Sequence, residues 1–165
     1  MKCKLLNLWF LLQLKCHKYW PEERSGIYGP IRVHVQEVLI LADYTTRTFS
    51  LQREGSKEER IVTQYHYTSW PDHGVPDYPT ALLHFVRKVA SSNPLNAGPM
   101  VAHCSAGVGR TGTFLTIFSQ LRRLKAESNI DIFGYVRSMR YRRCYMVQTE
   151  VPSCVLKMPQ SLKMI

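Results

Sequence analysis

Three shortages in this 165-residue chain limit its function before any motif is considered. Its five cysteines are odd in number and widely spaced, which favours neither a disulfide framework nor a zinc site. Acidic residues are few, 12 against 22 lysines and arginines, so the net charge is +10. Long apolar runs, internal repeats and low-complexity segments are absent, and the apolar stretch at residues 5–12 is too short to cross a bilayer.

The first 14 residues admit two interpretations. Lys2 and Lys4, followed by the apolar residues 5–12, imitate the charged and apolar regions of a signal peptide. No small-residue cleavage site follows them. We therefore favour a buried strand or helix in this segment over a secretion signal.

The excess of basic residues indicates an anionic partner, because a positive surface field attracts negative ligands. Much of the excess lies in seven residues: Arg122, Arg123, Lys125, Arg137, Arg140, Arg142 and Arg143. Nucleic acid is the usual partner of such a basic chain, but no recognised nucleic-acid motif is present. We therefore expect no nucleic-acid partner.

The segment CSAGVGRT at residues 104–111 carries the strongest chemical signal. In it a cysteine and an arginine bracket five small residues, namely Ser105, Ala106, Gly107, Val108 and Gly109. The pattern predicts a short strand before the segment, at residues 100–102, and an apolar helix after it. A glycine-rich loop between a strand and a helix can turn its N–H groups inward and aim a helix N-terminus at an anion. The segment therefore predicts an oxyanion-binding loop.

The ends of this segment supply reactive groups. Cys104 is the candidate nucleophile, because the N-terminus of a helix that begins near Thr111 and the guanidinium of Arg110 both favour a thiolate. Arg110 can pair with two phosphate oxygens, and the Thr111 hydroxyl could donate to the sulfur when the thiolate leaves. This arrangement suits attack on phosphorus through a cysteinyl-phosphate. The alternative is a small-residue turn that contains a buried structural cysteine.

A second motif lies in the Pro- and Gly-rich residues 69–79. A leaving oxygen needs a proton as its bond to phosphorus breaks, and Asp72 is the candidate general acid that supplies it. Trp70 is the candidate apolar hinge anchor of a loop that closes over the substrate. The alternative is an Asx turn, since Pro-Asp-x-Gly is ordinary turn chemistry.

Four segments of the chain together carry a family resemblance. Residues 103–114 contain the cysteine segment, and residues 15–21 read KCHKYWP. Residues 64–76 contain the Asp72 segment, and residues 146–150 read MVQTE. In this wording and order they resemble the phosphate-binding signature, a mid-domain segment, the general-acid loop and the glutamine loop of the classical protein-tyrosine phosphatases. The wording is most similar to the catalytic domains of receptor-type members.

The resemblance implies a reaction and assigns steps to two residues outside the cysteine loop. The chain would hydrolyse phosphotyrosine through a cysteinyl-phosphate, with Asp72 as the acid in the first step and as the base in the second. Gln148 would orient the attacking water. Residues 105–110, Asp72 and Gln148 would bind the substrate, and we expect neither a metal nor another cofactor.

The resemblance also implies supporting roles. His103 would hold the cysteine loop and tune Cys104 electrostatically, although a Cys/His proton transfer is an alternative. Arg140 and Arg143 match basic positions that support the phosphate loop or widen an anionic surface. For each arginine the alternative is an ordinary solvated helix face.

The fold that the resemblance implies is α/β, with a twisted mixed sheet flanked by helices and truncated on its N-terminal side. We divide the chain into an atypical apolar segment 1–14, a partial phosphatase domain 15–150 and an atypical tail 151–165. The implied partners are phosphotyrosine-containing proteins, with a membrane involved only through a receptor-type parent. A reactive thiol requires a reducing compartment, so we expect a cytoplasmic location, free or as the intracellular region of a receptor.

Hydrophobic periodicity places the elements of this fold. Strands are predicted at residues 31–35, 38–41, 45–51 and 61–67, with a charged turn at 55–60. Three apolar sets have helical spacing: Leu82, Phe85, Val86 and Val89; Phe114, Ile117, Phe118 and Leu121; Ile132, Tyr135, Val136 and Met139. Asp131 is the predicted N-cap of the third helix.

Three hypotheses about function remain open. The first is an active protein-tyrosine phosphatase, which the presence of both nucleophile and acid favours. The second is a phosphotyrosine-binding or regulatory fragment with little turnover, because the N-terminal half of the family's domain is missing. The third is an incomplete domain that exposes a sheet edge and apolar surface.

Overall fold

The computed structural model describes residues 3–7, 17–71, 74–76, 78–93 and 97–148. Within these residues lie six strands and three helices. The strands are β1 (Cys3–Asn7), β2 (Ser25–Tyr28), β3 (Ile31–Ile40), β4 (Tyr44–Arg53), β5 (Glu59–Tyr67) and β6 (Met100–His103). The helices are α1 (Thr80–Ser91), α2 (Gly109–Glu127) and α3 (Ile132–Arg142).

The strands form one mixed sheet in the order β2-β3-β4-β5-β1-β6. Strands β2 to β5 are antiparallel neighbours, as sequential strands joined by short turns commonly are. Strand β1 lies parallel to both β5 and β6, with Leu5 opposite Gln64 on one side and Val101 on the other. The α/β fold with a mixed sheet and flanking helices is thus confirmed.

The structure describes part of the first 14 residues. Residues 3–7 form β1, so the predicted strand or helix is a strand there. The remaining apolar residues 8–14 lie outside the described residues. Because β1 separates β5 from β6, it connects the antiparallel part of the sheet to the strand that precedes the cysteine loop.

The predicted strands and turn are largely in place. In β3 the predicted alternation holds at Val33 and Val35, which are partly buried between exposed residues, whereas Ile31 is exposed. A bulge lies between Val35 and Glu37. Strand β5 begins at Glu59, so the turn predicted at residues 55–60 is shorter than expected.

Helices α1 and α2 build the main core. Leu82, Phe85, Val86 and Val89 of α1 are all buried, as their helical spacing predicts. The Phe85 ring lies 6.0 Å from that of Phe114 in α2, an edge-on aromatic contact. None of the helices in the described part of the chain is long and apolar enough to span a membrane.

The starts of α2 and α3 compare differently with the prediction. Helix α2 begins at Gly109, two residues before the expected Thr111, so Gly109 and Arg110 belong to its first turn. Helix α3 begins as predicted, because the Asp131 carboxylate accepts a hydrogen bond from the Gly134 N–H at 2.8 Å.

Candidate active site

The cysteine loop occupies residues 104–108, between the end of β6 and the start of α2. The Cys104 side chain is buried, with 9% of its surface exposed. Gly107 has a φ of +68°, a left-handed conformation that a side chain would strain. Val108 is the N-cap residue of α2, and its side chain makes no capping hydrogen bond to the first N–H groups of the helix. Such a helix N-terminus favours an anion.

A hydroxyl faces the sulfur. Thr111 Oγ1 donates a hydrogen bond to Cys104 Sγ at 3.1 Å, and both residues are buried. Thr111 lies in the first turn of α2, so the helix itself sets the position of this donor. A hydrogen bond to a charged acceptor is stronger than one to a neutral acceptor, so this contact stabilises a thiolate more than a thiol.

Arg110 joins the cysteine loop to the segment that precedes Asp72. Its Nη2 donates to the Pro71 carbonyl at 3.2 Å, and its Cζ lies 5.3 Å from the centre of the Trp70 ring. The buried Trp70 donates through Nε1 to the Gly74 carbonyl at 3.2 Å, so it links the residues before and after Asp72. Asp72 itself lies outside the described residues.

The segment that carries Gln148 packs against the start of α2. The Val147 N–H donates to the Val108 carbonyl at 3.1 Å, and Val147 is buried with a φ of +60°. Gly112 permits this approach, because a Cβ there would lie 2.5 Å from the Val147 nitrogen. The Gln148 Oε1 lies 3.5 Å from the position of a Cβ on Gly109. Gln148 is thus beside the cysteine loop.

Two arginines donate hydrogen bonds to backbone carbonyls of the cysteine loop and of the segment that carries Gln148. Arg140 donates through Nε to the Met146 carbonyl and through Nη2 to the Val147 carbonyl, both at 2.9 Å. Arg143 donates through Nη2 to the Ala106 carbonyl at 2.9 Å. A guanidinium holds its donors in a rigid fork, so each contact fixes the direction of a backbone carbonyl.

Sequence reasoning missed a polar cluster behind His103. The Tyr19 hydroxyl lies 2.7 Å from His103 Nε2, and Gln64 Nε2 donates to the same hydroxyl at 3.2 Å. Arg47 Nη1 donates to Gln64 Oε1 at 2.9 Å and lies 3.4 Å from His66 Nδ1. Burial, followed by the nearby charge of Arg47, lowers the pKa of His66 to about 4. A polar alternation in β5, with Gln64 and His66 on one strand face, was the available signal.

The structure thus brings most of the predicted site residues to one place. Residues 103–111 contact Trp70 through Arg110, Arg143 through Ala106, and Gln148 through Gly109. Arg140 instead holds the Val147 carbonyl beside Gln148. Ser105 and Ala106 lie at the exposed rim. Among the residues that the structure describes, no group of three or more metal-binding side chains is present.

Comparison with known proteins assigns a family. The family profile described as "Protein-tyrosine phosphatase" matches residues 5–155. Receptor-type tyrosine-protein phosphatase F of Bos taurus is 53% identical over 138 residues, which cover 84% of this chain and 7% of the relative. Receptor-type tyrosine-protein phosphatase S of Gallus gallus is 52% identical, covering 84% and 9% respectively.

A relative from a further subtype gives the same result. Receptor-type tyrosine-protein phosphatase alpha of Homo sapiens is 48% identical over 143 residues, which cover 84% of this chain and 18% of the relative. The chain therefore spans less than a fifth of the length of each of these relatives. The profile match over most of the chain, together with these identities, shows that the chain belongs to the protein-tyrosine phosphatase family.

Proposed function

We propose that this chain hydrolyses phosphotyrosine in proteins through a cysteinyl-phosphate intermediate. The observation that carries the proposal is the hydrogen bond from Thr111 Oγ1 to Cys104 Sγ, made inside a loop where α2 begins without a capping side chain. A thiolate stabilised by a hydroxyl next to an anion-binding helix N-terminus has the elements of a nucleophile for phosphate esters.

In the first step the Cys104 thiolate attacks phosphorus. A sulfur–phosphorus bond forms as the bond from phosphorus to the tyrosine oxygen breaks. Asp72 donates a proton to that oxygen, so tyrosine leaves as a neutral phenol. Arg110, in the first turn of α2, pairs with the phosphate oxygens together with the N–H groups of the loop.

In the second step water replaces the sulfur. Gln148, which lies beside Gly109, orients a water molecule toward phosphorus, and Asp72 accepts a proton from it. An oxygen–phosphorus bond forms and the sulfur–phosphorus bond breaks. The electron pair returns to Cys104 as a thiolate, which the Thr111 hydroxyl stabilises.

The contacts of Arg110 support the role of Asp72. Arg110 contacts both the Pro71 carbonyl and the Trp70 ring, so the residues next to Asp72 lie near the cysteine loop. An acid on this segment would be delivered to the leaving oxygen when the loop closes over the substrate. The basic charge of the chain favours phosphotyrosine sites with acidic neighbours. We propose a cytoplasmic location for the reaction, where the thiol stays reduced.

Hydrolysis of a small aryl phosphate by the purified chain tests this proposal. We expect turnover that Cys104→Ser abolishes and Asp72→Ala lowers sharply. Cys144→Ser is the matched control, because Cys144 is a free cysteine on the surface, and it should leave turnover unchanged. If the chain shows no turnover but Asp72→Ala retains a phosphotyrosine peptide, the chain is a binding fragment. If it shows no cooperative thermal transition, it is an incomplete domain.

A further inference from the structure

A continuous chain of polar contacts runs from the sheet to the backbone of Cys104. Arg47 donates to Gln64 Oε1 at 2.9 Å, and Gln64 Nε2 donates to the Tyr19 hydroxyl at 3.2 Å. That hydroxyl lies 2.7 Å from His103 Nε2, and His103 Nδ1 lies 3.4 Å from the Cys104 carbonyl oxygen. The contacts therefore link strands β4 and β5 to the cysteine loop.

Arg47 sets the direction of this chain of contacts. A guanidinium has donors and no acceptor, so the group that faces it must be an acceptor. Gln64 must therefore turn its oxygen to Arg47, which leaves its NH₂ group for Tyr19. Because Gln64 is fully buried, water is not available to reverse this choice.

The donor and acceptor roles at Tyr19 set those of the His103 ring. The Tyr19 hydroxyl accepts from Gln64 and lies 2.7 Å from His103 Nε2. On the other side of the ring, His103 Nδ1 faces the Cys104 carbonyl oxygen, which can only accept, so Nε2 is the nitrogen that accepts from Tyr19. A neutral imidazole carries one proton, and when Nε2 accepts, that proton is on Nδ1. His103 Nδ1 then donates toward the carbonyl oxygen of Cys104.

His66 does not change the donor direction that Arg47 sets. Its Nδ1 lies 3.4 Å from Arg47 Nη1, which can only donate, so Nδ1 of His66 is an acceptor. The low pKa of His66, due mainly to burial, keeps its ring neutral at physiological pH. Arg47 is therefore a donor toward both neighbours on β5.

We propose that Arg47 and Gln64 are positioning residues that hold His103 as its Nδ1–H tautomer and thereby fix the peptide between Cys104 and Ser105. In a trans peptide the carbonyl and the N–H point in opposite directions. Holding the Cys104 carbonyl toward His103 thus fixes the direction of the Ser105 N–H. The consequence for catalysis rests on the proposed function, in which the loop N–H groups bind phosphate. The proposed tautomer of His103 is independent of that function.

The tautomer can be read directly from the ¹⁵N shifts and long-range ¹H–¹⁵N couplings of the His103 ring in the full chain. In the wild-type chain we expect protonated Nδ1 and unprotonated Nε2. Gln64→Glu should reverse the direction, because the new carboxylate accepts from both Arg47 and the Tyr19 hydroxyl. The Tyr19 oxygen must then accept from His103, so Nε2 becomes protonated.

Two further variants make the test decisive. Gln120→Glu is the matched control, because Gln120 is also a buried glutamine, its side chain accepts from the Asp131 N–H at 2.7 Å, and it should leave the His103 signals unchanged. Arg47→Met, at a partly exposed position, frees the Gln64 amide to turn and should introduce the second tautomer. If Gln64→Glu does not fold, the Arg47→Met variant alone tests whether Arg47 and Gln64 set the His103 tautomer. Protonated Nε2 in the wild-type chain, or His103 signals that Arg47→Met leaves unchanged, would overturn the proposal.

Activity is the second measurement. In Gln64→Glu and Arg47→Met we expect kcat for a small aryl phosphate to fall roughly tenfold, the effect of weakening one hydrogen bond to the transition state. Arg47→Lys, which keeps a donor, should recover most of this loss. If the wild-type chain has no turnover, the proposed function fails while the tautomer measurement still decides the positioning role.

Discussion

Removal of the Thr111 hydroxyl is the sharpest test of the chemistry proposed for Cys104. Thr111→Val keeps the shape of the side chain in its buried site and replaces the donor by a methyl group. The 3.1 Å hydrogen bond to Cys104 Sγ is lost, and the sulfur gains no replacement from the new side chain. The thiolate should therefore become a poorer leaving group in the second step.

The size of the effect follows from the kind of hydrogen bond. A hydrogen bond to a charged group contributes about 1.5–3 kcal/mol. If all of this stabilisation is present as the thiolate leaves, the rate of the second step falls roughly 10- to 150-fold, at about 1.4 kcal/mol per factor of ten. The first step should change less, since the same contact also stabilises the attacking thiolate.

Rapid-mixing kinetics with a small aryl phosphate separates the two steps. In Thr111→Val we expect a burst of phenol close to one equivalent, followed by slow turnover as the cysteinyl-phosphate accumulates. Thr111→Ser is the matched control, because it keeps the hydroxyl and loses only a methyl group, at about 1 kcal/mol of stability. It should turn over nearly as fast as the wild-type chain.

Two results would refute this reasoning. Thr111→Val could turn over at the wild-type rate without a burst, which would mean that the hydroxyl does not stabilise the leaving thiolate. Thr111→Ser could lose as much activity as Thr111→Val, which would assign the effect to packing. Melting curves of both variants, recorded beside the kinetics, show whether the fold is retained.

Three further predictions concern the surroundings of the loop. Gly112→Ala should lower Tm by forcing the Val147 backbone away, about 1–3 kcal/mol of overpacking, and should slow the second step. Arg140→Met should lower kcat more than Arg140→Lys, since both lose the fork on two carbonyls but only lysine keeps a donor. Between pH 6.5 and 4 the unfolded chain protonates His66 while the folded chain does not, so stability falls as pH falls. Free energies of unfolding from urea titrations at pH 7 and 5 should differ by about 2 kcal/mol more in the wild-type chain than in His66→Gln.

The strong local patterns predicted their elements well. The apolar spacing of Leu82, Phe85 and Val89 predicts α1, and the Asp131 side chain predicts the start of α3. In each case the signal lies within a few residues of the element that it specifies. The start of α2 was placed too late, because Val108 offers no capping side chain that would mark it.

The surroundings of the site were harder to predict, because their partners are far apart in sequence. Tyr19 and His103 are separated by 84 residues, and Arg143 and Ala106 by 37. No local pattern indicates that the buried Gln64 in β5 contacts Tyr19 in the segment KCHKYWP. Such contacts follow from strand order and register, which depend on the whole sheet.

The sequence by itself determined the family signature and predicted the kind of chemistry, since the residue types in segment 104–111 and their spacing suit attack on phosphorus and few other functions. Tertiary structure decided how those residues are held. It brought the Thr111 hydroxyl within hydrogen-bond distance of the Cys104 sulfur, placed Gln148 beside Gly109, and connected His103 to Arg47 through Tyr19 and Gln64. The physical reason is that residue types carry reactivity, whereas the direction of each donor depends on backbone and side-chain positions that only long-range packing fixes.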